Sequence, residues 1–97
     1  MQHQFKITEE FIEELQQLIS QKEDERLEVL CKDLHHADIA EILEELNVEQ
    51  AVYIFRILDS ETTAEILLEL DEDVREAILG KLSPKEIAEE LDELDTD

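Results

Sequence analysis

Leucine returns every twelve residues from the middle of the chain onward, at Leu34, Leu46, Leu58, Leu70, Leu82 and Leu94. A polar residue follows each one: His35, Asn47, Asp59, Asp71, Ser83 and Asp95. Asn, Asp and Ser side chains accept hydrogen bonds from the free N–H groups that open a helix. Eight and nine places after each leucine stands an apolar pair: Ile42–Leu43, Ile54–Phe55, Ile66–Leu67 and Ile78–Leu79. The fifth copy keeps Leu91 but has Glu90 where an isoleucine would stand. Small or apolar residues recur five and six places on, at Ile39–Ala40, Ala51–Val52, Thr63–Ala64 and Ile87–Ala88. The pattern predicts one helix per twelve residues, near 37–46, 48–58, 60–70, 72–82 and 84–94.

Helices of this size are about 15 Å long and marginal alone, because nucleation costs more than two or three turns return. They must stack. Self-similarity at a fixed period is the signature of a solenoid. The expected fold is therefore all-α: a right-handed superhelical solenoid of short helices with a 12-residue helical repeat, used as helical hairpins. A coiled coil would need apolar residues at period 3.5, and caps every twelve residues exclude it.

Ahead of the comb, Thr8 is a plausible N-cap for a first helix near 9–21, with Phe11, Ile12, Leu15, Leu18 and Ile19 on one stripe. The charged stretch Lys22–Arg26 turns without Gly or Pro, and Asp24 is expected to cap a second helix with the stripe Leu27, Leu30, Cys31 and Leu34. Residues 1–34 thus read as capping helices and 35–97 as repeats of one domain. Ser83, Pro84 and Glu86 form a capping box with its favoured proline, and Asn47 with Gln50 a weaker version. Gly80, inside the fourth comb helix, suggests close approach by a neighbour. A sixth unit opens at Leu94–Asp95 and is cut at Asp97, so the natural protein is expected to continue.

Charge changes the picture more than composition does. Twenty-nine acidic side chains against eight basic ones leave −21 on 97 residues. Such a chain repels nucleic acid and anionic lipid, and suits cations or basic partners. One cysteine, Cys31, allows no internal disulfide and points to a reducing compartment. No stretch has the length of a membrane span.

Chemistry has few footholds. Cys31 and His35 stand four apart, yet no second Cys/His pair completes a metal site, and they read as a buried thiol and a capping histidine. Asp71-x-Asp73 begins like a calcium loop but fails at Arg75, Glu76 and Leu82. No phosphate loop, catalytic triad or activated-cysteine motif is present, so the chain does not read as an enzyme. Phe55 belongs to the core column, and Tyr53 to a ridge or contact surface on the other side of its helix. What remains is the acidic surface. Mg²⁺ suits it, because this ion keeps several waters and needs only one or two carboxylates from each side of an interface.

From Leu34 onward the sequence resembles the cytoplasmic N-terminal domain of the MgtE family of magnesium transporters and channels. The residues that carry the likeness are His35-His36-Ala37-Asp38-Ile39-Ala40-Glu41-Ile42-Leu43-Glu44-Glu45-Leu46, Thr63-Ala64-Glu65-Ile66-Leu67-Leu68-Glu69-Leu70, and Leu82-Ser83-Pro84-Lys85-Glu86 running to Leu94. His36 departs from the family's proline at that place. The resemblance implies a Mg²⁺-sensing, gating domain at the cytoplasmic face of the bacterial cell membrane. It implies as partners the CBS domains and membrane pore of the same polypeptide, and admits a homodimer through the full-length protein. It also implies Glu65 and Asp97 as metal ligands, each lending one carboxylate to a site completed by the CBS region. By the same resemblance, those Mg²⁺ sites are expected to be weak or incomplete in the isolated domain. The competing expectation is an acidic helical-repeat scaffold that binds a basic protein partner, with no metal role.

Overall fold

The computed structural model describes residues 7–94. Within them the chain is all-helical: α1 (Glu9–Ser20), α2 (Asp24–Lys32), α3 (His36–Glu45), α4 (Val48–Ile57), α5 (Ser60–Glu69), α6 (Glu72–Leu79) and α7 (Pro84–Leu94). The last five helices begin at residues 36, 48, 60, 72 and 84, one to each leucine-led unit. The links between them are short, because the polar residue after each leucine opens the next helix. Asn47 accepts from the Gln50 N–H at 2.8 Å and Asp59 from the Thr62 N–H at 2.8 Å. Both capping boxes form: Gln50 reaches back to the Asn47 N–H at 3.3 Å, and Glu86 to the Ser83 N–H at 2.8 Å.

Alternate helices pack on one another. α3 and α7 both lie against α5, while α2 and α6 both lie against α4; α1 closes the start of the array over α2 and α4. Each apolar pair faces inward between these two columns. The isoleucine of every complete pair (Ile42, Ile54, Ile66, Ile78) is at most 2% exposed. Fully burying such a side chain contributes about 1.5–3 kcal/mol, which is what lets ten-residue helices persist. α1 adds Leu15 and Leu18, and α2 adds Leu27 and Cys31.

Several local expectations are corrected. Glu23, not Asp24, is the N-cap residue of α2, and it makes no side-chain capping bond. The Asp24 carboxylate instead accepts a bond from the Tyr53 hydroxyl at 2.5 Å, tying α2 to α4. The turn before α2 takes its shape from Lys22, at φ 58° in the left-handed region. The Lys22 N–H donates to the Ile19 carbonyl and the Glu23 N–H to the Leu18 carbonyl, a Schellman closure normally built on glycine. His35 and Asp71 occupy N-cap positions without side-chain capping bonds. The Asp71 N–H donates instead to the Glu44 carboxylate of α3, at 3.1 Å. α6 stops at Leu79, with Gly80 outside it as C-cap. A Cβ at Gly80 would meet only the preceding carbonyls of Glu76 and Ala77, so no neighbouring element crowds it. Finally, Leu91 is 59% exposed, whereas Glu90 beside it is buried.

Candidate functional site

α5 is the central helix of its column, and its outer face carries the residue singled out in the sequence. Ala64 and Ile66 are buried, so Glu65 between them points away from the core, its side chain 61% exposed. Glu61 and Glu69, one turn before and after, are exposed as well. Three carboxylates thus line one helix face at i, i+4 spacing, where like charges repel. Within that acidic face Leu68 is 67% exposed, an apolar side chain that the repeat pattern gives no reason to leave in water.

Packing of α3 on α5 brings the first residue of α3 to this face. His36 Nδ1 lies 3.3 Å from Glu65 Oε2. Sequence reading noted His36 only as a departure from the family's proline; its spacing from Glu65 carried no sign of the pairing. Nearby, the Thr62 N–H holds the Asp59 carboxyl below the usual carboxylate range, with help from Lys32 and His36. Asp97 lies outside the described residues. Among the described residues, no three His, Cys, Asp or Glu side chains converge as a set of metal ligands. The donor at hand is nonetheless of the right kind: an exposed carboxylate, able to lend one oxygen to a hydrated hard cation.

The other candidates come apart. α2 ends at Lys32, so Cys31 and His35 do not share one continuous helix. Burial pushes the Cys31 thiol up to about 11, which keeps it protonated and a poor ligand or nucleophile. Tyr53 is a contact residue, half-buried and bonded to Asp24, whose carboxylate raises its phenol pKa. Phe55 is in the core. Tyr53 forms part of a groove of about 520 Å³ between α2 and α4, lined also by Asp24, Glu28, Glu49, Val52, Arg56 and Ile57.

A second polar centre joins α4, the turn after α6, and α7. Arg56 grips Glu86 through two bonds of 2.9 and 3.2 Å and donates to the Lys81 carbonyl at 3.2 Å. The guanidinium, and after it the Ser83 N–H, hold the Glu86 carboxyl down at about 2. Sequence reading found Glu86 as a cap but not this partner on a helix thirty residues away.

Among known proteins, the family model of the MgtE intracellular N domain matches residues 34–97. The match begins at the first leucine of the comb and takes in α3 to α7. Neither the curated proteins nor the solved structures include a match to the chain. No helix among the described residues is long and apolar enough to cross a membrane.

Proposed function

Because the chain belongs to the MgtE intracellular N domain family, we propose that it is the cytosolic Mg²⁺-sensing domain of a magnesium transporter, acting on the pore through an adjacent CBS region. The observation that carries the reading is the outward placement of Glu65 on α5, between two further exposed carboxylates and beside the exposed Leu68. A face of this kind is held off from another acidic domain by repulsion. Mg²⁺ shared across the gap removes that repulsion, so the closed arrangement gains population in proportion to its greater affinity for metal. Glu65 and Asp97 each lend one carboxylate, and the CBS surface supplies the rest. The role is regulatory rather than catalytic, and the domain works at the cytoplasmic face of the membrane.

Small-angle scattering of the chain joined to its CBS region, titrated with Mg²⁺, tests this. Compaction is expected at roughly millimolar Mg²⁺, as for water-rich carboxylate sites. Glu65→Ala should move the midpoint to higher Mg²⁺. His36→Ala, which removes the in-chain competitor for the same carboxylate, should move it to lower Mg²⁺. Absence of compaction, or an unchanged midpoint in Glu65→Ala, would sink the assignment of Glu65.

One observation favours the scaffold reading: the groove between α2 and α4 combines an apolar floor with the carboxylates of Asp24, Glu28 and Glu49, and its one cation, Arg56, is already paired with Glu86. Such a groove suits a basic side chain from a protein partner. Calorimetry with a Lys/Arg-rich amphipathic peptide separates the readings, since tight binding unaffected by Mg²⁺ would favour the scaffold.

A further inference from the structure

Two polar side chains are buried among the described residues, Thr63 at 1% and Glu90 at 5% exposure, and they are bonded to each other. Thr63 Oγ1 lies 2.7 Å from Glu90 Oε1, joining α5 to α7. Glu90 breaks the repeat, since it occupies the place that Ile42, Ile54, Ile66 and Ile78 fill in the preceding units. Thr63 stands where the other units have Ile39, Ala51, Arg75 and Ile87, and it alone brings a hydroxyl to that place. The one charged lapse in the apolar column meets the one hydroxyl that can bond it. We propose that Glu90 is a proton-operated latch: α7 is seated on α5 while the carboxyl is protonated and loosens when it ionises.

The hydrogen bonding supports this direction. A protonated Glu90 donates its O–H to Thr63 Oγ1, and the threonine proton then goes to the carbonyl of Asp59 or Ser60, each 3.2 Å away. Both protons of the pair then have an acceptor. In the ionised form the threonine proton turns to the carboxylate, one bond for a charge on a side chain that is only 5% exposed. The charged groups facing Glu90 do not rescue it. From α4 comes Arg56, already engaged by Glu86; α5 offers only the uncharged Ser60 and Thr63; α7 itself adds Glu86, Glu89 and Glu93. Burial pushes the carboxyl above its ordinary range, the Thr63 bond opposes that, and the three glutamates add to it. A half-open cleft of about 200 Å³, lined by Arg56, Ser60, Thr63, Glu86, Glu89 and Glu90, already admits water to the edge of the carboxyl and can hydrate it fully once α7 shifts.

The sign follows from proton counting. A carboxyl with a raised folded-state pKa binds more protons folded than unfolded. Its support for the seated helix is full below the ordinary glutamate range and is lost as pH rises through the raised value. The latch is independent of the metal reading, since it needs no Mg²⁺. It would let acidity set how firmly α7 is held.

Amide exchange measured by NMR from about pH 5 to about pH 8, corrected for intrinsic rates, tests the proposal. Protection of the α7 amides in the unmodified chain should fall on the order of tenfold with rising pH, while that of α3 stays level. Glu90→Gln mimics the protonated form and should hold α7 at its low-pH protection throughout. Glu90→Ile, which restores the residue of the other units, should do the same. A pH-independent α7 in the unmodified chain would overturn the proposal. So would a Glu90→Gln profile that follows the unmodified one, or an α7 that is less protected in both variants at neutral pH.

Discussion

At the scale of single residues, the comb separates side chains that carry stability from side chains that do not. Leu70 is buried, and Leu70→Ala should cost about 2–5 kcal/mol in a denaturant melt. Leu58 is only partly buried and should cost less, while Glu61→Ala or Glu69→Ala should stay within about 0.5 kcal/mol. Lys22 gives the opposite sign: it sits in a left-handed turn that disfavours a Cβ, so Lys22→Gly should stabilise by up to ~1 kcal/mol in the same melts. Glu86 adds a pH dependence. It stays ionised in the fold down to about 2, against an ordinary value of 4.5, so the unfolded chain takes up the proton first. Stability from this group is present above 4.5 and is lost as pH falls towards 2. Arg56→Met should make the acid limb of the stability profile shallower between those values. These residues also mark the limit of sequence reading. Glu65 could be placed on an outer face from the burial pattern around it. Its partner His36 could not, because the pairing depends on which helices lie side by side, and composition at each repeat position does not encode that. Leu91 was misread for a related reason: the pattern says which residues face a neighbour, but no described element packs over α7 to meet it.

At the scale of the helix, boundaries were legible where a side chain caps and blurred where none does. Asn47, Asp59 and Ser83 were read as caps from type and spacing, and all three cap. His35 and Asp71 hold the same register without capping, because helix entry there is carried by the backbone and, at Asp71, by Glu44. The contrast is measurable. Asp59→Ala and Ser83→Ala should each cost about 0.5–2 kcal/mol in thermal or denaturant melts. Asp71→Ala should cost much less, since its side chain accepts nothing at the helix start. Equal losses at all three would mean that the polar residue after each leucine acts through charge near the helix dipole, not through a hydrogen bond.

For the whole molecule, charge is the dominant liability. The Cα radius of gyration is 13.1 Å, about that of an ordinary globular domain of this length, and the full chain carries a net charge of −21. Self-repulsion at this density should weaken the fold at low ionic strength, so adding NaCl to moderate concentration should raise the melting temperature. A flat or falling response in a scanning-calorimetry series would show the repulsion to be unimportant. The pairing of alternate helices has a separate consequence, for how such a chain can change in length. Odd-numbered helices α3, α5 and α7 share one side of the array, and even-numbered α4 and α6 the other. Removing one twelve-residue unit would reverse the parity of every helix after it. With the α6 unit deleted, α7 would dock on α4, and Glu90 would meet Ala51, the counterpart of Thr63, with no hydroxyl to bond. Removing two units together leaves each later helix on its own side. Insertions and deletions in lineages of this domain are therefore expected to come in pairs of units, with single-unit changes confined to its ends.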